Sequence, residues 1–322
     1  MARAARPGHL ALAACIAVTS VWTFWGVTEM FHEGWYAPFE WLWFLLPAGI
    51  SLALTLVALR WPRVGGWLLI GVGVGFYAWV LLRVGARHGL SLGVAASWFP
   101  VAGFLAVVGW LFLRSARARR APSAERSAAA RGAGRRRDRR VLLAVGVPLL
   151  VGLATAVEPA IRVAGRVDDG FLGARRIDGL GVALVWAPAG PGWTSGVSWE
   201  EIACDADVCR SLSDDGARLE ATPQDRWRLP TADEVVRSLV RHGENAGCTW
   251  DGGSGAQDCA VRPDKETPLW DPGSPIIYLW TADEASATEA YAVTYHGAVW
   301  AYPKDAALGS LGFRCVRGDG GG

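Results

Sequence analysis

Acidic residues are scarce in the first half of this 322-residue chain: residues 1–165 hold 6 of them against 18 Arg, whereas residues 166–322 hold 24 against 14 basic residues. A formal charge of only +2 therefore conceals halves of +12 and −10. A single soluble domain rarely segregates charge this way, so the chain reads as two bodies in different surroundings. Cysteine is nearly missing from the same half, with Cys15 the one instance among six. Five long apolar runs have no ionisable residue near their centres, and pumps and coupled transporters need such groups, so a transport role is disfavoured. No Ser/His/Asp set or paired carboxylate occurs at a catalytic spacing, and the sequence names no reaction. With 52% hydrophobic residues and 18 Trp, disordered, collagen-like and small disulfide-scaffold classes are excluded.

The five runs are Leu10–Thr28, Trp41–Leu59, Val64–Leu82, Val94–Leu113 and Val141–Val157. A helix rises about 1.5 Å per residue, so roughly 20 residues cross a hydrocarbon core of about 30 Å. The predicted organisation is a four-span region over residues 1–113, an Arg-rich cytoplasmic loop over 114–140, a fifth transmembrane helix over 141–163 and an extracytoplasmic domain over 164–322. The fifth helix is expected to run on past Glu158 and Pro159, with Glu158 and Arg162 one turn apart. Residues 114–140 carry 11 Arg against Glu125 and Asp138, which retains them in the cytoplasm. By span count the N-terminus lies on that side and everything after about residue 165 lies outside. Trp22, Trp25, Trp35, Trp41, Trp43, Trp61 and Trp110 gather near span ends, as an interfacial belt does. The predicted location is the cell membrane, multi-pass, with the lipid bilayer as first partner.

Three features here invite sharper readings. Leu12-Ala-Ala-Cys15 has the form of a lipoprotein cleavage box, but the apolar stretch before it is too short for a signal peptide. Gly71-Val-Gly-Val-Gly75 lies within a span, and its Gly71–Gly75 spacing suits close helix packing rather than a dinucleotide. The Arg-rich segment reads as a topology determinant and disordered linker, and nucleic acid is not expected as a partner.

The second half has the pattern of a mixed α+β domain. Leu180–Ala187 reads as a buried strand, and Ser198-Trp-Glu-Glu201 as a capping box opening a helix through about Leu212. Thr231-Ala-Asp-Glu234 repeats the device after Pro230, for a helix through about His242 with Val235, Val236, Leu239 and Val240 at helical spacing. Residues 243–275 are an irregular excursion rich in Gly, Asp and Pro. Ala290–Tyr295 and Ala298–Tyr302 flank His296-Gly297 as a hairpin, and Leu311–Arg317 forms a last strand. Cys204, Cys209, Cys248, Cys259 and Cys315 read as structural disulfides, since their spacings fit zinc sites poorly and the exterior preserves such bonds.

The order VALVWA, SWEE, Cys209-x-x-Leu212, then Trp227-Arg228-Leu229-Pro230-Thr231-x-x-Glu234, LWTADE, a hairpin and GFRCVRG resembles the collagen-like-adhesin C-terminal (Lcl C-terminal) domain family. That family is related to the formylglycine-generating-enzyme, or sulfatase-modifying-factor, fold, a variant of the C-type-lectin-like architecture. The resemblance covers roughly residues 178–317. It leaves the membrane half unrecognised and implies that the C-terminal α+β domain is of C-type-lectin-like, sulfatase-modifying-factor type; with the apolar runs, the expected fold class is a membrane α-helical region of five transmembrane helices joined to that domain. The resemblance also implies a Cys209–Cys315 bond, worth about 4 kcal/mol over a loop of about 105 residues. Cys248 and Cys259 are then the local pair and Cys204 is left over, with Cys204–Cys315 as the rival pairing. The formylglycine-generating enzymes use a reactive cysteine pair shortly before the GFRC segment. This chain has no cysteine between Cys259 and Cys315, so that activity is expected to be absent.

Among single residues, Arg228 and Arg314 read as buried ion-pair members, and Trp186, Trp199, Trp227 and Trp280 as core anchors. The expected ligand surface joins the excursion to the hairpin through Trp250, Trp270, Asp271, Tyr295, His296 and Trp300, where aromatics beside polar groups suit a glycan or protein ligand. No cofactor is predicted. A structural Ca2+ is the one ion that Asp283 with Glu284, or Asp251 with Asp258, would suit, and neither pair has enough oxygen ligands in view. The leading expectation is a membrane-anchored, non-catalytic binding module. Its alternatives are an enzyme of the modifying-factor group with chemistry not located, and a membrane sensor or assembly protein.

Overall fold

A computed structural model describes residues 6–33, 42–88, 92–118, 126–205 and 208–318, with residues 6, 84–88, 92–101, 118, 126–137, 204 and 205 described by backbone alone. The chain forms two compact units that part near residue 160.

The first unit is helical: α1 (Arg6–Glu33), α2 (Leu42–Arg60), α3 (Pro62–His88), α4 (Leu92–Ala118) and most of α5 (Arg126–Ala164). Four stretches are long and apolar enough to cross a membrane, namely Pro7–His32, Leu42–Arg60, Pro62–Arg83 and Asp138–Ala164. This half is membrane-embedded, and large apolar side chains such as Trp43, Leu82, Leu142 and Leu150 point outward, as lipid permits. The run Val94–Leu113 lies within α4 and is helical throughout.

Close packing falls on other glycines than the expected pair. A Cβ at Gly71 or Gly75 would meet nothing within 4 Å. At Gly109 it would lie 2.5 Å from the Gly66 carbonyl oxygen, and at Gly73 2.9 Å from that of Ala102. Gly66 and Gly73 sit two turns apart on α3, so they share the face that α4 covers. Between α1 and α2, the Thr19 and Ser51 hydroxyls are 2.8 Å apart. The linker reading of the Arg-rich segment is corrected over residues 126–140, where α5 already runs. Arg and Ala are strong helix formers and the apolar run that follows extends the same helix. Both Pro148 and Pro159 lie inside it, so the fifth helix does pass Glu158.

The second unit is built on a six-stranded sheet in the order β3 (Trp193–Ser195), β12 (Leu311–Arg314), β9 (Tyr278–Glu284), β10 (Glu289–Thr294), β11 (Ala298–Pro303) and β7 (Gly255–Ala256). Only β12 and β9 run parallel. A three-stranded antiparallel sheet joins β1 (Arg175–Asp178), β2 (Ala183–Trp186) and β13 (Val316–Gly318). Two ribbons complete it, β4 (Val240–Arg241) with β5 (Glu244–Asn245), and β6 (Cys248–Thr249) with β8 (Asp258–Cys259). The expected hairpin is present as β10 and β11, turning at Gly297 with φ 81°. The expected last strand is divided, because the chain changes sheets at Cys315.

Both predicted helices are shorter than expected. The Ser198/Glu201 pair is formed, with the Ser198 amide donating to Glu201 at 2.7 Å and the Glu201 amide to the Ser198 hydroxyl at 3.3 Å. It opens only a five-residue π-helical turn, Glu201–Asp205. Beyond it Leu212 bridges Leu219 in an antiparallel backbone pairing that a continuing helix would not allow. The second helix, α6 (Ala232–Arg237), has a complete capping box between Thr231 and Glu234 and ends at Ser238. Leu239 and Val240 still reach the core, while His242 (φ 54°) and Gly243 (φ 77°) take the left-handed conformation of a tight β4–β5 turn.

The two cores of this unit are filled by large aromatics. One gathers Trp186, Trp193, Trp270 and Tyr295 with α6. The other gathers Trp199, Trp227, Trp280 and Phe313 around Cys209 and Cys315. Disulfides join Cys209 to Cys315 and Cys248 to Cys259, so the rival Cys204–Cys315 pairing does not form. The Cys204 side chain lies outside the described residues.

Candidate ligand-binding surface

The signature segment Trp227–Glu234 is architectural. Trp227 is buried, its indole N–H donating to the Ser213 carbonyl at 3.0 Å and the Arg317 guanidinium lying 4.9 Å above its ring. Leu229 is buried beside it, and the Pro230 carbonyl accepts from the Ala282 amide at the side of β9. Arg228 makes a two-pronged contact with Glu234 at 2.7 and 2.5 Å. That pair is not buried as expected, because the Arg228 side chain is 48% exposed. Burial raises the Glu234 carboxyl, but the hydrogen bonds from Arg228 and the Thr231 amide outweigh it and hold the group below its ordinary value.

Arg314 is the larger correction, for among the described residues no carboxylate pairs with it. Its Nε donates to the Ala187 carbonyl at 2.9 Å, and Nη1 donates to those of Pro268 and Leu269 at 2.8 Å. The guanidinium carbon stands 3.8 Å from the centre of the Trp193 ring. Burial brings its pKa down to about 9, and the positive field of Arg175 adds to the shift. The residue latches three separate segments through carbonyls and an aromatic face, which a planar cation can do without an anion.

The six residues expected to form one ligand surface do not share an exposed face, because two of them are buried. Trp270 and Tyr295 are each 1% exposed and pack edge to face at 6.2 Å, so neither presents to solvent. Trp250 is half-buried against Tyr291 at 5.5 Å, its N–H closing its own loop on the Gly253 carbonyl at 2.9 Å. His296 occupies the turn, with Nδ1 3.1 Å from the Thr294 hydroxyl. Asp271 caps a turn by accepting from the Gly273 amide at 2.8 Å. Trp300 alone of the six is an exposed aromatic, at 46%, standing on β11 opposite Ala292.

Two clefts take the place of that surface. One, of about 190 Å³, lies between Trp193, Thr194 and Ser195 of β3 and the turn carrying Asp271 and Ser274. The other, of about 390 Å³, is lined by Ser213, Asp214, Asp215, Arg218, Glu220 and Gln224. Its shape comes from local bonds: Asp215 accepts from the Ser213 hydroxyl at 2.6 Å and from the Ala217 amide at 3.1 Å, which hold its carboxyl below the ordinary value. Arg226 pairs with Asp214 at 3.0 Å on its margin. Only the larger cleft falls in the range of roughly 300–1,000 Å³ usual for small-ligand sites, and both signs of charge line it. The sequence signal for it was Ser213-Asp-Asp-Gly216, readable only as a helix end without the fold.

Three of the four carboxylates weighed for calcium have protein partners. Asp283 accepts from the Ala232 amide at 2.5 Å, and Glu284 pairs with Lys304 at 2.6 Å. Asp251 accepts from the Gly253 amide at 2.8 Å. Among the described residues, no group of three or more His, Cys, Asp or Glu side chains is disposed to hold a metal ion. Compared with protein-family profiles, with curated proteins and with solved structures, the chain matches none.

Proposed function

We propose that the chain is a five-span membrane protein, N-terminus cytoplasmic, that presents residues 164–322 outside the cell membrane as a non-catalytic binding module. In this reading α4 is the remaining span, and the module is of the lectin-like, sulfatase-modifying-factor type suggested by the WRLPT and RCVR motifs. The observation that carries it is the placement of both disulfides in the unit that follows α5, with 11 Arg on the far side of that span. Disulfides persist in oxidising surroundings and arginine clusters stay in the cytoplasm, so two independent rules assign the same orientation. The ligand is a polar glycan or peptide taken into the cleft around Asp215 and Arg218, with Trp300 as an accessory platform.

Protease shaving of intact cells tests the orientation: loss of a C-terminal tag with retention of an N-terminal one is expected, and a protected C-terminus would sink it. Glycan and peptide arrays probed with the detergent-purified full chain test the ligand class. Asp215→Ala with Arg218→Ala is expected to abolish array binding, and unchanged binding would move the site elsewhere.

A further inference from the structure

Helices α1 to α4 of the membrane-embedded unit leave a groove of about 270 Å³ between them. Three of its walls lie at span depth. Residues 15–22 fall inside Pro7–His32, residues 46–55 inside Leu42–Arg60, and Leu69 with Val72 inside Pro62–Arg83. The fourth wall is Phe104, Leu105 and Val108 of α4. The floor is closed, since Cys15, Thr55, Leu69 and Val108 are buried. The mouth is open, since Trp22, Ile50, Val72 and Phe104 are exposed and face the surroundings of the spans.

The small polar side chains of this wall are spent on one another and on the helices. Thr55 donates to the Ser51 carbonyl at 2.8 Å, and the Ser51 hydroxyl stands 2.8 Å from that of Thr19. The Cys15 thiol is hydrogen-bonded with Thr55. A water settles in such a space only with about 2–4 polar partners, which these groups do not hold out to it. Apolar cavities of about 150 Å³ stay dry yet take up benzene, so this larger space suits hydrocarbon.

Its dimensions say which hydrocarbon. Residues 46–55 of α2 line it over roughly 13 Å, at a rise of about 1.5 Å per residue. The volume of 270 Å³ spread over that length averages about 4–5 Å across. That is close to one file of carbon atoms, whose non-bonded neighbours stand about 3.5–4.0 Å away. A helix from a second copy, about 10–12 Å across, is too wide to enter. A methyl-branched polyprenyl chain is also wider than a straight one. Straight chains are what a bilayer supplies at the mouth, and a wall left bare would forfeit its van der Waals contacts.

We propose that this groove is a binding site for one unbranched acyl chain of a bilayer phospholipid, seated between Cys15 of α1 and Ile50 of α2 without regard to its headgroup. Lipid tails are as apolar as the wall, so the hold comes from van der Waals fit and not from hydrophobic burial. The site rests on the apolar helices crossing a membrane, and on neither their orientation nor the clefts. Array binding and protease shaving can therefore fail while this site stands.

The test is photo-crosslinking of the full chain in phosphatidylcholine nanodiscs, doped with phosphatidylcholine that carries a diazirine midway along one acyl chain. Adducts are expected on peptides holding residues 15–22 and 46–55, above the background that ordinary surrounding lipid leaves on exposed α5 positions such as Leu150. Ile50→Trp and Val72→Trp crowd the groove, and each should lower the groove adducts roughly tenfold, on the scale of overpacking a filled space. The α5 adducts should stay as they were. Both substituted positions are exposed, so folding is not at stake, and helical circular dichroism checks it for each variant. The same probe built on phosphatidylglycerol should label the groove equally. Groove labelling no higher than the α5 background, or kept at the parent level in either folded variant, would overturn the proposal. So would a strong preference for one headgroup, displacement of the probe by an equal amount of a polyprenyl lipid, or a crosslinked dimer of the chain in place of the groove adducts.

Discussion

Where α3 meets α4, backbone touches backbone across Gly66, Gly73 and Gly109. In the sheet-rich second unit, one core is filled by Trp186, Trp193 and Trp270 and the other by Trp227 and Trp280. The contrast follows from the solvent. Lipid tails are as apolar as any side chain, so burying leucine against leucine gains little, and helices associate by close van der Waals approach and hydroxyl pairs such as Thr19 with Ser51. In water, large apolar surface is itself the driving force. The second unit adds two disulfides to strands that are short and ribbons only two residues long.

The contrast is broken most forcefully at the disulfides. Replacing Cys209 and Cys315 with Ser should cost about 4–5 kcal/mol, and replacing Cys248 and Cys259 about 3 kcal/mol, from loops of 106 and 11 residues in the chain-entropy picture. Chemical denaturation of the full chain should show the loss in the second unit, with the helical signal of the membrane half persisting to higher denaturant. Equal losses from the two pairs would mean that native strain rather than loop length governs them.

Next in size is the tryptophan pair. Trp270→Ala empties a core position and should destabilise the second unit by about 3–5 kcal/mol. Trp300→Ala, on the surface, should stay within about 0.5 kcal/mol. Thermal unfolding followed by near-ultraviolet circular dichroism separates them. A third comparison lies within the packed pair α3 and α4: Gly109→Ala should lower membrane-half stability by about 1–3 kcal/mol, since its Cβ would meet a carbonyl oxygen that cannot move aside. Gly71→Ala faces open space and should be neutral or gain up to about 1 kcal/mol. Melting in detergent decides it, and similar effects at both positions would remove the close backbone contact from the account.

The sequence revealed whatever depends on local pattern. The apolar runs became α1 to α5, the Thr231–Glu234 capping box is complete, and the hairpin turns where His296-Gly297 placed it. What it hid depends on distant partners. Val235, Val236, Leu239 and Val240 all reach the core, yet the helix ends at Arg237 because β4 pairs with β5. Glu158 and Arg162 stand at helical spacing, yet Arg162 is drawn to Asp264, 102 positions away. Gly66, Gly73 and Gly109 look no different in sequence from Gly71 and Gly75. The ligand surface was misread for the same reason: composition cannot tell a core aromatic such as Trp270 from an exposed one such as Trp300.

The smallest effect separates the halves by pH. The spans have no ionisable group near their centres, so mild acid should leave the membrane half intact. In the second unit the Glu234 carboxyl, which burial pushes up, is held below its ordinary value by Arg228 and the Thr231 amide. A depressed carboxylate stabilises the fold above its unfolded-state pKa, near 4.3, and the contribution disappears as pH falls through the lower folded-state value. Glu234→Gln should therefore cost about 1 kcal/mol at neutral pH, a small figure because the Arg228 arm is half in water. The gap between variant and parent should close as the pH drops below 4.3, where the parent carboxyl gains its proton. Melting curves taken through that window decide the matter: a gap that persisted at low pH would mean that the residue matters for its shape in the α6 cap, and its charge for little.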